Sequence, residues 1–169
     1  MTAFWQSCAK RLTSCLALVL PFVLSGCISK VNIAPGTPAS QIIATLGQPT
    51  ARYTLPGGGQ RLQYSEGPMG QHVYNIDLDA QERAVDVVQA LDETLFAKRI
   101  LVNNWTREDV LREYGQPTHT MTVRNFDGEI WTWRYLDPLS QRYQLYIDID
   151  RGGVVRSYST VAESQLLGN

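Results

Sequence analysis

The chain has 169 residues, of which 44% are hydrophobic and 18% are charged, and its formal net charge is −1. This length accommodates one or two small domains and excludes a large multidomain enzyme, and the apolar fraction is sufficient for a folded core. The balance of 15 Lys and Arg against 16 Asp and Glu gives no basic field, so we expect no nucleic-acid partner.

Residues 1–26 have the pattern of an export signal. They contain no acidic residue, carry Lys10 and Arg11, and continue as an apolar run from Leu12 to Leu24. A basic segment followed by a short apolar run is typical of a signal peptide. The run is shorter than the about 20 residues that a helix needs to cross a bilayer. We therefore predict a cleaved signal peptide over residues 1–26.

The end of this segment, Leu24-Ser25-Gly26-Cys27, resembles the bacterial lipobox. The resemblance implies cleavage before Cys27 and a diacylglycerol on its thiol, so Cys27 is the predicted lipidation site. A plain secretory signal with a cysteine near its cleavage site is the alternative. Ile28, in place of Asp, implies release to the outer membrane. Residues 27–35 are then a lipidated tether, and a mature chain with one cysteine has no internal disulfide.

The mature sequence repeats itself. Residues 40–50 and residues 108–118 both end in Gly-Gln-Pro-Thr, and both carry apolar residues at helical spacing before that motif. The repetition divides the mature chain into two predicted repeats, residues 36–91 and residues 92–169.

Each copy of the motif predicts the end of a short helix. Gly47 and Gly115 stand where a helix stops in a positive-φ conformation, and the proline two positions later prevents its continuation. Thr37 and Thr106 are the predicted caps at the N-termini of these helices. A helix of about nine residues is marginal alone in water, so both helices must pack on other elements.

Alternating apolar and polar residues after each helix predict three β-strands per repeat. The strands are predicted over residues 61–64, 73–79 and 83–88, and over residues 130–135, 143–150 and 154–158. An extra helix over residues 92–101 opens the second repeat. The predicted fold class is α+β, a tandem repeat of short helices packed on three-stranded antiparallel meanders, preceded by a lipoprotein signal peptide.

Four segments of the second repeat resemble the SmpA/OmlA (BamE-like) domain family. They are residues 95–100, 105–117, 131–135 and 147–155, and residues 35–49 resemble a second, more degenerate copy. The resemblance implies a small α+β domain held at the periplasmic face of the outer membrane. It also implies a non-enzymatic accessory role in the machinery that inserts β-barrel proteins.

The predicted function is therefore a lipid-anchored, non-enzymatic scaffold on the periplasmic face of the outer membrane. Its predicted partners are envelope proteins, the β-barrel assembly machinery among them, and no cofactor is expected. The tandem copies are also similar, more distantly, to the repeats of the β-lactamase inhibitor protein. That similarity implies an alternative function, an inhibitor or binding module for an exported hydrolase.

One strand carries the main candidates for partner binding. Trp131, Trp133 and Tyr135 share one face, where aromatic residues are typical of a core; an exposed aromatic platform for a peptide or glycan is the alternative. Arg134 on the opposite face, with Tyr146 on the neighbouring strand, is a preferred contact residue of protein interfaces. We predict Arg134 and Tyr146 as partner-binding residues.

No motif predicts a catalytic or metal site. His72 and His119 lie in different repeats without further ligands at metal-binding spacing. The acidic pairs in residues 77–79 and 148–150 are interpreted as structural groups at strand ends, with a fragmentary calcium loop or acid–base chemistry as alternatives. Residues 57–59, three glycines without a following lysine, predict a hairpin tip rather than a phosphate-binding loop.

Overall fold

Residues 31–166 are described by a computed structural model, and the predicted signal peptide and Cys27 lie outside the described residues. Two four-stranded antiparallel sheets and four α-helices make up this part of the chain, which is an α+β fold. None of these helices is long and apolar enough to cross a membrane.

The elements follow a similar order in the two halves of residues 31–166. The first half contains α1 (Ala39–Leu46), β1 (Ala51–Thr54), a 3-10 turn (Pro56–Gly58), β2 (Gln60–Ser65), β3 (Val73–Leu78) and β4 (Ala84–Gln89). The second half contains α2 (Glu93–Arg99), α3 (Arg107–Tyr114), β5 (His119–Met121), β6 (Gly128–Leu136), β7 (Arg142–Asp150), β8 (Val155–Ala162) and α4 (Glu163–Leu166). Within each sheet, strands that are consecutive in the chain are neighbours in space.

Each sheet has one strand more than predicted, so the prediction of three-stranded meanders is wrong. The additional strands are β1, which pairs with β2, and β5, which pairs with β6. β1 has four residues and β5 has three, which is too short for apolar–polar alternation to be recognised. The short helix α4 was also not predicted.

Each sheet packs one of its faces against helices. In the first half, Ile42 of α1 contacts a core that includes Leu62 and Ile76. In the second half, Phe96 of α2 and Tyr114 of α3 pack against β6 and β7. Trp131, Trp133 and Tyr135 are buried in this second core, and the ring centroids of Phe96 and Tyr135 are 5.2 Å apart. These three aromatic residues are therefore core residues rather than an exposed platform.

The helix ends agree with the prediction in three of four cases. Gly47 has a φ of 83° and Gly115 a φ of 70° at the C-terminal caps of α1 and α3. Thr106 caps α3 in a reciprocal capping box with Asp109. Thr37 does not cap α1, because the cap residue is Pro38 and the Thr37 hydroxyl donates instead to the Ala34 carbonyl oxygen at 2.6 Å.

Irregular features occur at corresponding places in the two sheets. The β3–β4 ladder shifts register between Asp77 and Leu78, and the β7–β8 ladder shifts between Asp148 and Ile149. An isolated bridge joins Pro38 to Arg83 at the start of α1, and another joins Thr106 to Val154 at the start of α3. The two sheets therefore share these irregular features at similar places in their strand registers.

Candidate functional site

The two sheets are separate, and the C-terminal end of α3 connects them. Along β2, Leu62 and Tyr64 point into the core under α1. Arg61 and Gln63, which alternate with them, lie on the opposite face, where they contact the end of α3. We call this opposite face the outer face of the first sheet, and its contact with the end of α3 the joint.

The joint supplies hydrogen-bond donors to carbonyl groups at the C-terminus of α3, of which that of Leu111 also accepts from the Gly115 N–H. Gln63 Nε2 lies 3.0 Å from the Arg112 carbonyl oxygen and 3.3 Å from that of Leu111. Asn75 Nδ2 donates to the Glu113 carbonyl oxygen at 2.9 Å. Gln63 and Asn75 are each 1% exposed, so the α3 carbonyl groups replace the water that the contact removes from these amides. The outer face of the first sheet is thus a surface that binds a helix end.

Ion pairs reinforce the joint. Arg61 forms a bidentate ion pair with Asp77, in which Nε and Nη2 donate to the carboxylate at 2.6 and 2.8 Å. Its Nη1 donates to Glu113 Oε2 at 2.7 Å. The other carboxylate oxygen of Glu113 accepts from Arg99 at 2.6 Å. Burial lowers the pKa of Arg61, but the hydrogen bond to Asp77 and the charge of Glu113 outweigh it, so the pKa is raised. Arg61 therefore stays charged and holds two carboxylates.

The second sheet has a corresponding outer face. Thr132 pairs in register with His119 on one side and Tyr146 on the other, as Gln63 pairs with Ala51 and Asn75. The register that places Arg61 opposite Asp77 likewise places Ile130 opposite Asp148. We define the outer face of the second sheet by His119, Met121, Ile130, Thr132 and Tyr146.

The centre of this second outer face is polar but not fully paired. Thr132 is 3% exposed, and within residues 31–166 its hydroxyl has no hydrogen-bond partner. The Tyr146 hydroxyl donates to Gln144 Oε1 at 2.7 Å, and Tyr146 is half-buried. His119 and Met121 on β5 are exposed. The accessible part of the face is therefore β5, where His119 and Met121 present one polar and one apolar side chain.

Arg134 lies at the edge of the same face, next to α4. Its guanidinium donates to both carboxylate oxygens of Glu163, at 2.6 and 2.9 Å, and this attaches α4 to the sheet. The hydrogen bond from Arg134 lowers the pKa of Glu163 although burial opposes it, and the same bond raises the pKa of Arg134. The structure brings Arg134 and Tyr146 onto one face, and their role in binding a partner stays a prediction.

The acidic pairs at the strand ends bind groups of the chain itself. Asp79 accepts from the backbone N–H of Arg83 at 2.9 Å, and Asp150 accepts from that of Val154 at the same distance. The Val154 N–H lowers the pKa of Asp150. Asp77 pairs with Arg61. Asp79 and Asp150 thus bind backbone groups of the turns that follow them, and Asp77 binds a neighbouring strand.

The two histidines and the glycine triplet lie in different parts of the fold. His72 lies 3.0 Å from Glu66 in the β2–β3 turn, and His119 is exposed on β5. In the part of the chain that the structure describes, no three His, Cys, Asp or Glu side chains are grouped to hold a metal ion. Residues 57–59 lie in the turn between β1 and β2, as the predicted hairpin tip requires.

The residues of the joint were not predicted from the sequence. Gln63 and Asn75 alternate with core residues, and that pattern predicts a solvent-facing strand surface. One signal was available in the sequence, because both residues carry uncharged amide side chains on strands predicted to pair. In the structure, Gln63 Nε2 donates to Asn75 Oδ1 at 3.2 Å. Nothing in the sequence around Glu113 indicates that its side chain pairs with Arg61, a residue far away in the chain.

No family model and no curated protein matches this chain. Among solved structures, the chain is similar to a DUF4309 family protein from Bacillus subtilis, with 16% sequence identity over 74% of this chain and 78% of the other. The TM-score is 0.31, which is too low to show a shared fold.

Proposed function

We propose that this protein is a non-enzymatic scaffold, anchored by a lipid on Cys27 to the periplasmic face of the outer membrane, that binds proteins through the outer face of its second sheet. One observation carries the binding part of the proposal. The outer face of the first sheet holds a helix end through Arg61, Gln63 and Asn75, while the counterpart face of the second sheet has exposed residues on β5.

We also propose that the chain consists of two copies of one α+β unit. Both sheets have the same strand order, and both ladders shift register at corresponding acidic residues, Asp77 and Asp148. Gly47 and Gly115 end the two helices in the same positive-φ conformation. These correspondences support duplication, and with it the resemblance to the SmpA/OmlA family and the expectation of partners in barrel assembly.

The anchoring part of the proposal rests on residues 24–27 and is tested by Cys27→Ala. We expect the variant to fold but to leave the outer-membrane fraction, because an acyl-modified N-terminus is what holds the domain to the bilayer. Cys15→Ala, in the apolar run of the signal peptide, is the matched control and should not change localisation. Fractionation and mass spectrometry of the mature N-terminus provide the measurement. An unmodified N-terminus in the wild type would refute lipid anchoring.

The binding part is tested by a photo-crosslinking amino acid at Tyr146, incorporated into the full chain in cells. We expect adducts with a discrete envelope protein, identified by mass spectrometry, because Tyr146 lies within the proposed binding face. A crosslinker at Val85, which is 56% exposed on β4 of the other sheet, is the control and should give no such adduct. Equal adducts from both positions, or none from Tyr146, would contradict the proposal.

A further inference from the structure

We propose that the β2–β3 turn contacts the membrane leaflet that holds the lipid on Cys27, with Met69 entering the apolar layer and Arg52 binding anionic phospholipid headgroups. The inference rests on the proposed function and deepens it, because it names the surface of the protein that faces the membrane. We call the turn, residues 66–72, the tip. Support comes from the tip itself, from the place where the described chain begins and from the charges beside that place.

The tip presents one apolar side chain on a restricted backbone. A hydrogen bond of 3.0 Å from the Gly70 N–H to the Gly67 carbonyl oxygen closes a four-residue turn, with Pro68 and Met69 at its central positions. Proline fixes its own φ, so little conformational entropy remains to be lost when the turn meets a surface. Met69 is 71% exposed, and residues 67–71 carry no charge. The tip can therefore bury apolar area in a bilayer without burying a charge.

The one acidic group of the tip is occupied by the tip itself. The Glu66 backbone N–H donates to the His72 carbonyl oxygen at 3.2 Å. The Glu66 carboxylate accepts from the Gln71 N–H at 3.0 Å and lies 3.0 Å from His72 Nδ1. A Cβ at Gly70 would lie 2.2 Å from the Glu66 Cβ, so glycine is required where the turn meets this base. The carboxylate thus closes the base of the tip.

The described chain begins beside the tip. Val31 packs against the core of the first half. Burial and the charge of Glu66 raise the pKa of Tyr74, and the Val31 backbone lowers it by hydrogen bonding to the hydroxyl. The Tyr74 ring stacks on the imidazole of His72 at the base of the tip, with ring centroids 6.1 Å apart. The chain therefore enters the fold at the end of the first sheet where the tip lies.

The length of the preceding chain keeps the lipid close to this end. Cys27 is four residues before Val31, so even a fully extended chain places the two within about 14 Å of each other. Met69 is three residues from Glu66 and is at most about 11 Å away from it. The β3–β4 turn lies at the far end of β3, whose six residues span about 20 Å. The anchor therefore brings the leaflet to the tip rather than to the opposite end of the sheet.

The part of the chain next to the anchor has no negative charge. No acidic residue occurs between Cys27 and Glu66, whereas Lys30 and Arg52 lie within this stretch. Bilayer surfaces that contain anionic lipids attract basic residues held close to them and repel acidic ones. The charges near the anchored end therefore complement an anionic leaflet.

Arg52 supplies a cation near the tip. Burial raises the pKa of Tyr64 and the charge of Arg52 lowers it, and Tyr64 is the register partner of Tyr74. Arg52 is exposed, and its Nη2 lies 3.4 Å from Gln48 Oε1. Within residues 31–166 its guanidinium has no acidic partner, so it is available to a phosphate group, which arginine binds well.

The test uses the lipidated mature protein in vesicles of phosphatidylethanolamine and phosphatidylglycerol. Gln71→Cys attaches a fluorescent probe to the tip and leaves Met69 in place. Gln81→Cys attaches the probe to the exposed β3–β4 turn at the other end of β3. For the probe at position 71 we expect a blue shift of its emission, and quenching by lipids brominated near the headgroup end of their acyl chains. The probe at position 81 should show neither.

Variants of the tip separate the apolar contact from the charged one. Met69→Asp should abolish the shift and the quenching, because a carboxylate does not enter an apolar layer, and Met69→Leu should behave as the wild type. Arg52→Gln should reduce the quenching in vesicles that contain phosphatidylglycerol and should leave it unchanged in vesicles of phosphatidylcholine alone. Both positions are exposed, so the fold should persist, and circular dichroism checks this.

Mass spectrometry of the mature N-terminus separates the inference from the proposed function. A lipid on Cys27 together with a probe at position 71 that is neither shifted nor quenched overturns the tip contact and leaves the anchoring standing. Quenching that survives Met69→Asp, or that is equal at positions 71 and 81, also overturns the contact. Unchanged quenching in Arg52→Gln overturns the role of Arg52. An unmodified N-terminus overturns both the anchoring and the contact.

Discussion

Gly115→Val is expected to lower the free energy of unfolding by about 3–5 kcal/mol. Gly115 combines a φ of 70° with a ψ of −161°, a region that is essentially restricted to glycine and costs other residues about 1–3 kcal/mol. A Cβ at this position would also lie 3.1 Å from Oε1 of Gln63. Gln63 must then shift by a few tenths of an ångström, which strains its hydrogen bonds to the α3 carbonyl groups; the upper end of the range corresponds to their loss, about 1–3 kcal/mol.

Gly47→Val is the matched control for this prediction. Gly47 has a φ of 83° and a ψ of −171° at the end of α1, and a Cβ there would meet no atom within 4 Å. The control therefore carries backbone strain without disturbing the joint, and we expect a loss of about 1–3 kcal/mol. Urea unfolding of both variants gives the difference. Equal losses would mean that Gln63 does not depend on the space beside Gly115.

Glu113→Ala is expected to destabilise the protein by about 3–5 kcal/mol, the range for removing one partner of a buried ion pair. The Glu113 side chain is 7% exposed and accepts from both Arg61 and Arg99. Its removal leaves Arg61 with Asp77 as its remaining acidic partner and leaves Arg99 unpaired in the joint. The first sheet and α3 should then separate at lower denaturant concentration than in the wild type.

The control is Asp127→Ala, which removes the acidic partner of an exposed pair. The Asp127–Arg151 pair has the same 2.7 Å distance as the pair between Arg61 and Glu113, but its side chains are 70% and 84% exposed. Solvent screens such a pair, so the expected loss is below about 1 kcal/mol. Comparable losses for the two variants, measured by urea unfolding, would show that burial of Glu113 does not make its ion pairs stronger.

The features predicted correctly from the sequence are those that depend on neighbouring residues. The glycine at the end of α3 and the cap at Thr106 follow from local backbone requirements, and the long strands follow from alternation. The prediction that Thr37 caps α1 was wrong because Pro38, the next residue, occupies the N-cap position. The strands β1 and β5 were missed because a strand of three or four residues is too short to show apolar–polar alternation. Their formation depends on pairing with β2 and β6.

The candidate site was predictable only in part, for a related reason. Alternation along β6 and β7 places Arg134 and Tyr146 on the face opposite the core, and the structure has them there. The partner of Arg134 is Glu163, on a helix of four residues that has no periodic signal of its own. The joint depends on tertiary placement, because Gln63 contacts Arg112 only after both halves have folded.

The joint also determines when each half of the protein completes its folding. Until α3 is in place, the amides of Gln63 and Asn75 have no helix carbonyl groups to bind. Their hydrogen bonds must be made to water until residues 111–113 reach the outer face of the first sheet. The first half therefore reaches its final state only after α3 of the second half has formed.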